Sequence, residues 1–337
     1  MIDWSRGFCA AYHACLVDPE TWRDIERIEI LSGKINREKT GLRESADIEC
    51  TDYDHGYDKW IRVWMDVEQD ESGADDHRAI FTGLVSTPEQ TINGRLIETD
   101  LQCYSVLKPA QDIYLPRGWY AAKGMIGAEI AASLLSVGPA PVVIEEGSPR
   151  LVQHIIAEAN ETNLSMADRI VNAIGWRIRI EGDGTIVVCP KADGAQIILS
   201  ANDNDIIEPK VTVKNDGFSC PNVIRVVSDN VSYTAYDHDE TSPFSIESRG
   251  REIWREESNV KLSDGESLAS YATRRLRELQ SAGTSVSYSR SYYPDVITTD
   301  NIRIHYPAQG LSGIFAVESQ QITLDNSGST SEEATLI

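Results

Sequence analysis

The sequence predicts an α+β protein that is mainly β, with two antiparallel β regions of barrel or sandwich type bracketing a small α/β module. Three observations carry this reading. Apolar and polar residues alternate with period two through the first hundred or so residues and again from about residue 206, the pattern of half-buried strands. Between those stretches the apolar spacing becomes helical. Turn signals such as Asn93-Gly94 and Gly182-Asp183-Gly184 sit between strand-like runs. The boundaries that follow are 1–118, 119–205 and 206–325, with 326–337 as a flexible tail.

Taken in order, Ala46, Ile48 and Cys50 alternate with polar neighbours, and Ile61, Val63, Met65 and Val67 alternate with Trp60, Arg62, Trp64 and Asp66. Both runs read as strands with one buried face. Gln69 to Arg78, with Asp70, Glu71, Asp75 and Asp76, reads as an exposed loop, and Asn93-Gly94 leads into a strand over Arg95–Tyr104. Pro116-Arg117-Gly118 marks the change of texture. Ala122, Met125, Ile126, Ile130, Leu134 and Leu135 predict a helix over 121–136, stopped by Gly138-Pro139. Ser148-Pro149 predicts a second helix start, with Ser as N-cap and Pro at the first helical position. A third helix is expected over Ser165–Ile174, ended by Gly175. Trp176–Ile180 and Thr185–Val188 then form a hairpin around Gly182-Asp183-Gly184. Beyond 206, strands are expected at Val211–Val213, Val223–Val227 and Val231–Tyr236, then Ser285–Ser291, Ile302–Tyr306, Ile314–Ser319 and Gln321–Leu324. One amphipathic helix over 263–282 interrupts them, opened by the capping box Ser263-Asp264-Gly265-Glu266 and striped by Leu268, Tyr271, Ala272, Leu276 and Leu279.

With 31 Lys+Arg against 53 Asp+Glu the chain carries −22, which excludes a protein built to neutralise nucleic acid. Its 41% hydrophobic content excludes disorder. No apolar run is long enough to span a membrane, and no basic-then-apolar leader opens the sequence. Synthesis in the cytoplasm and six reduced, mostly buried cysteines are the matching expectations.

Chemistry is hard to find. GxxxxGK[ST], HExxH and GxSxG are all absent. Gly182-Asp183-Gly184 lacks the third glycine of a dinucleotide fingerprint and joins two strands, so it reads as a turn. The runs Asp52–Asp58, Asp75-Asp76-His77, Asp237-His238-Asp239 and Asn202–Asp205 lack the Gly and Glu spacing of a calcium loop and read as solvated loops. Cys9 and Cys15 near His13 read as ordinary packing. No catalytic, cofactor or metal residues are assigned. The exception to blandness is the face of Trp60, Arg62 and Trp64, which is either a sugar- or protein-binding surface or a face covered by another subunit. The covered face is favoured because aromatics and Arg are enriched at interfaces, and these three residues are the candidate subunit interface.

Read together, the C-terminal third carries Ser263-Asp264-Gly265-Glu266, Ala272-x-x-Arg275-Leu276, Pro294-Asp295-Val296, Asp300-Asn301-Ile302-Arg303-Ile304 and Gly310-x-x-Gly313-x-Phe315-x-Val317 in order. It resembles the closing β domain of the bacteriophage tail and baseplate hub family, shared with related contractile injection machines. Ile28–Leu31, Ala46–Cys50, Ile80–Gly83 and Leu101–Tyr104 resemble that family's first domain, and Leu164–Val188 its small middle domain. Thr299 stands where the family usually has Gly.

The resemblance implies a non-enzymatic virion protein at the tail tip. It would be a homotrimer whose two tail-tube-like domains per subunit make a pseudo-hexameric ring. Such a ring adapts a sixfold tail tube, or distal tail protein, to a threefold spike or fibre. DNA would be traffic through it during genome ejection and not a ligand, and an acidic bore would let DNA pass by repulsion. A tail-associated wall or glycan hydrolase using unrecognised paired carboxylates, and a carbohydrate-binding β module, are the alternatives.

Overall fold

The computed structural model describes the chain apart from residues 1, 5, 52, 70–73, 95, 192–196, 201–206, 216, 229–230, 259, 261–266, 282, 295, 299 and 307–310. The N-terminal strands are β1 (Cys9–Val17), β2 (Asp24–Glu38), β3 (Glu44–Thr51), β4 (Trp60–Gln69), β5 (Ala74–Asn93) and β6 (Leu96–Ser105). A mixed stretch follows: α1 (Lys108–Asp112), β7 (Tyr120–Ala121), α2 (Gly127–Leu135), β8 (Val142–Ile144), β9 (Ile155–Ile156), α3 (Asn163–Ala173), β10 (Trp176–Ile180) and β11 (Ile186–Pro190). After it come β12 (Ile197–Ser200), β13 (Ile207–Asn215), β14 (Val223–Ser228), β15 (Val231–Tyr236), α4 (Ile246–Arg249), β16 (Trp254–Glu257) and α5 (Leu268–Ser281). The chain closes with β17 (Thr284–Arg290), β18 (Asn301–Tyr306), β19 (Leu311–Thr323) and β20 (Thr330–Leu336). The α+β, mainly β class is as the patterning indicates.

Strands β1 to β6 close on themselves in the order β1-β4-β5-β6-β3-β2, because β1 pairs with both β4 and β2. Their inward positions, among them Ile35, Ile48, Ile61, Val63, Met65, Phe81 and Leu101, form one core. The sequence treats the two β regions as separate, yet one 12-stranded sheet runs through both. The link is β2. Its first half pairs with β1, up to His13↔Glu29, and its second half pairs with β19 in the register Ile35↔Ile322. A strand of 15 residues is long enough to serve two neighbours along the same edge. Bulges at Ile30/Ser32 and Val317/Ser319 mark where β2 and β19 bend.

The 206–325 region also divides. β13, β17, β18, β19 and β20 belong to the large sheet, whereas β14, β15 and β16 make a separate three-stranded sheet that α5 covers. Ile224, Val226, Ala235, Ala272 and Leu276 are the core of that second layer. The capping box at 263–266 lies outside the described residues; Ser267 Oγ accepts from the Ser270 N–H at 3.1 Å.

Four local expectations are corrected. The loop expected up to Arg78 ends sooner, because Ala74–Arg78 are the start of β5 and pair with β4. Helix α2 begins at Gly127, not near 121, and the residues after Ser148-Pro149 are not helical. They run antiparallel to 113–127 as an irregular ribbon, pairing at Tyr114↔Thr162, Tyr120↔Ile156, Ala121↔Ile155 and Ile126↔Arg150. Ser148 does cap a helix, but another one. Its Oγ accepts from Ala128 N–H at 3.0 Å, where the α2 N-cap, Ile126, has no side-chain oxygen to offer. The supposed flexible tail is β20, hydrogen-bonded to β17 on one side and β19 on the other. Its inward positions are Thr330, Glu332 and Ala334, so apolar periodicity does not reveal it.

Candidate functional site

The Trp60–Arg62–Trp64 face is covered within one copy of the chain. Trp60 and Arg62 are 7% and 6% exposed. The cover is the β10–β11 turn, Gly182-Asp183-Gly184, lying against β4 and β5. Arg62 Nη2 donates to Asp183 O at 3.1 Å, Trp22 Nε1 donates to the same oxygen at 3.0 Å, and Thr82 Oγ1 donates to Gly182 O at 2.8 Å. Arg62 Nη1 also pairs with Asp24 Oδ1 at 2.5 Å, and Trp64 Nε1 donates to Asp24 Oδ2 at 2.7 Å. Both glycines are needed. A Cβ on Gly182 would lie 2.0 Å from Ala79 O, and Gly184 sits at φ +84° against Thr82 and Trp22. The turn is therefore a docking plug over Arg62, while Trp60 is buried in the module core with its ring edge-on to Trp22 at 5.5 Å, all within one copy of the chain.

The module is held at two further points. Arg43 pairs with Asp168 of α3, and Arg177 Nη1 of β10 pairs with Asp300 Oδ1 at 3.0 Å. The second pair is 11% and 7% exposed, so both charges depend on each other.

Trp64 continues outward into a polar cluster. Its ring stacks on His77 at 4.3 Å and 3°. Asp66 stands between His77 Nδ1 and His13 Nδ1, the latter at 3.1 Å. Burial, then Arg27, holds His13 below the usual imidazole range. Elsewhere the acidic runs serve their own loops and neighbours: His55 pairs with Glu26, and His238 with Glu247 at 2.7 Å. Asn202–Asp205 and Asp52 lie outside the described residues. Among the described residues no three His, Cys, Asp or Glu side chains are placed to hold a metal ion. All six cysteines are free thiols, and only Cys9 is exposed.

The β2–β19 seam holds a buried polar chain that the sequence reading missed. Arg37 Nε donates to Glu44 Oε1 at 2.9 Å, Arg37 Nη1 to Gln320 Oε1 at 3.0 Å, and Arg37 Nη2 to Ile80 O at 2.6 Å. Gln320 Nε2 passes the link to Glu332 Oε1 at 2.7 Å, and Arg290 grips Glu332 with two bonds of 2.9 and 2.5 Å. The Arg290 and Glu332 side chains are 0% exposed. Burial pushes Glu332 up, but the Arg290 charge and its hydrogen bonds outweigh that and hold the carboxyl below its usual range. Glu44 goes the other way. Burial exceeds the pull of Arg37 and lifts it to about 7. The signal was present in the sequence: each of these residues occupies the inward phase of a strand, as Arg37 does after Ile35 and Arg290 after Val286 and Tyr288.

On the opposite side of the same strands lies a largely polar wall. It is built from Asp47 and Glu49 of β3, Lys34, Asn36 and Glu38 of β2, and Ser319, Gln321 and Thr323 of β19. Ser331 and Glu333 of β20, Ser287 and Ser289 of β17, and Lys210, Thr212 and Lys214 of β13 complete it. Grooves along it are lined by these side chains.

No protein-family model matches the chain, and the curated protein sequences contain no match. Solved structures do match over nearly the full length. A tail protein from Neisseria meningitidis MC58 superposes with a TM-score of 0.68 at 16% identity, covering 97% of each chain. The 43 kDa tail protein of prophage MuSo2 from Shewanella oneidensis gives 0.66 at 12%, covering 97% of this chain and 98% of its own. Prophage tail protein gp18 from Listeria monocytogenes EGD-e gives 0.57 at 11%, covering 98% and 94%. This chain has the fold of phage tail proteins.

Proposed function

We propose that the chain is a structural phage tail protein of the hub type, assembling as a trimeric ring between tail tube and spike. The observation that carries this is the end-to-end match to tail proteins, with neither chain left over. The architecture supports it. One chain holds a closed set of six strands, β1–β6, joined to a second set made of β12, β13 and β17–β20. Three copies would present six such units, which is how a threefold assembly meets a sixfold tube. The domain division at 1–118, 119–205 and 206–325 belongs to this reading, amended by the shared sheet and by the separate β14–β16 layer.

The polar wall is the surface suited to line the bore. Its exposed side chains are mostly polar and offer little to grip a passing polymer, Leu31 at one end of the groove being an exception. Along β2, β13 and β20 its charges are mixed, Glu38 and Glu333 against Lys34, Lys210 and Lys214, and toward β3, β5 and β6 the acids Asp47, Glu49, Glu89 and Asp100 prevail, which suits the acidic bore that the net charge suggests. Weak adhesion would then come from easily rehydrated neutral groups and from repulsion of phosphates together. Wall hydrolysis gains no support from the buried carboxylates, since Glu44 and Glu332 face arginines inside the sheet.

Solution mass tests the reading: three copies of 37.4 kDa give about 112 kDa. Labelling the chain in intact particles should place it at the tube tip. A chain that stays monomeric at every concentration, or label elsewhere in the particle, would overturn it.

A further inference from the structure

The ribbon of residues 113–127 and 149–157 contains no Asp or Glu, although at the chain's average density about four are expected there. It contains Arg117, Lys123, Arg150 and His154, all exposed. Its inner side, Leu115, Ala121, Leu151 and Ile155, closes the module core. Its outer side leaves Tyr114, Tyr120, Met125, Val152 and Ile156 between 47% and 65% exposed. Tyr120 and Ile156 stand directly opposite each other, and the Tyr120 ring lies 6.1 Å from His154. Tyr, Met and Arg without acids is the composition of an interface core, not of a solvated surface.

We propose that this ribbon is the contact by which one copy of the chain docks onto an acidic surface of the next. The claim rests on the trimeric reading and names its interface. Charge complementarity selects the occupant: the ribbon carries +3, and the other 313 residues carry −25, so another copy is acidic over most of what it can present. Two unlike surfaces meeting make a head-to-tail contact, which closes into a threefold ring when the rotation allows. The alternative face is already buried within the chain, Arg62 under the Gly182–Gly184 turn and Trp60 in the module core.

The test is the mass of the full chain in solution, measured from low to high salt, beside the variant Arg117→Glu/Lys123→Glu/Arg150→Glu. Arg150 Nη1 also donates to Gly124 O at 2.7 Å across the ribbon, so circular dichroism and melting temperature are read beside the mass, and Arg117→Glu/Lys123→Glu serves as the second variant. A wild-type trimer that weakens with salt, and a folded variant whose dissociation constant rises at least about 100-fold, supports the ribbon. A folded variant that trimerises as well as wild type overturns the ribbon and leaves the ring standing. A wild-type chain that is monomeric throughout overturns both. Should both variants misfold, the salt series decides alone: a wild-type trimer indifferent to salt overturns the ribbon.

Discussion

Gly182→Ala separates the docking plug from every other feature of the fold. Gly182 has no positive φ, so in an isolated hairpin alanine would be tolerated and would stabilise by about 0.4–1 kcal/mol through the unfolded state. In this protein the new Cβ would fall 2.0 Å from Ala79 O and 3.0 Å from Ile80 Cα, both backbone atoms of β5. Neither can yield without breaking the β4–β5 ladder. The turn must instead retreat by about 1.4–2.0 Å to reach an ordinary contact. That retreat stretches the Thr82–Gly182 bond from 2.8 Å and the Arg62 and Trp22 bonds to Asp183 O from 3.1 and 3.0 Å, all beyond hydrogen-bonding range. Two neutral bonds at about 1 kcal/mol each and one charged bond at about 2 give a loss of about 4 kcal/mol. Urea unfolding followed by tryptophan fluorescence reads it, since Trp22 donates to the turn and packs edge-on against Trp60. Gly147→Ala is the control, a positive-φ glycine with open space around it, which costs only its backbone strain. A Gly182→Ala transition within about 0.5 kcal/mol of wild type would show that the plug is not held as described.

Glu332→Gln leaves Arg290 charged and buried with a neutral partner, and should cost about 3–5 kcal/mol by denaturant midpoint, whereas Arg290→Met/Glu332→Leu should recover most of it. Glu44 sets a pH dependence. Its folded value of about 7 stands above its ordinary 4.5, so its stabilising contribution is complete below pH 4.5 and disappears as pH rises through 7. The full swing is about 3 kcal/mol, and urea midpoints at pH 5 and pH 8 should differ less in Glu44→Gln than in wild type. Ser148→Ala removes the cap on α2 and should lower stability by about 1 kcal/mol with no change in assembly mass.

The sequence was legible where a single physical pattern acted alone. Period-two alternation located β4, β14, β15 and β17, and Gly175 at φ +71° ends α3 as its spacing indicates. It became illegible where tertiary partners replaced apolar residues. β20 carries Thr330 and Glu332 inward because Arg290 and Gln320 receive Glu332 there. Ser148-Pro149 carries a helix-start signal, but its serine caps a helix that lies earlier in the chain. The Trp60–Arg62–Trp64 face is read from the sequence as a subunit interface, whereas Trp60 and Arg62 are buried within one copy of the chain. What covers Arg62 is a glycine turn more than a hundred residues away, and no local pattern encodes that distance.

The seam explains why such a chain tolerates charges in its core. Two arginines and two glutamates inside a β sheet are a poor source of stability, since well-packed aliphatics of equal volume often do as well. They are a strong source of register. Sliding β19 by one residue against β2 would turn Gln320 outward and leave Arg37 and Glu332 without their shared partner. An aliphatic core would lose less in the same slip. The proposed ring, matching a sixfold tube, would need its two strand sets fixed relative to each other, and β2–β19 is their sheet junction. Gln320→Leu is the direct test of that argument. It should cost less in global stability than Glu332→Gln, yet raise hydrogen exchange selectively along Lys34–Glu38 and Ser319–Thr323. Uniform exchange across the sheet would refute the register role.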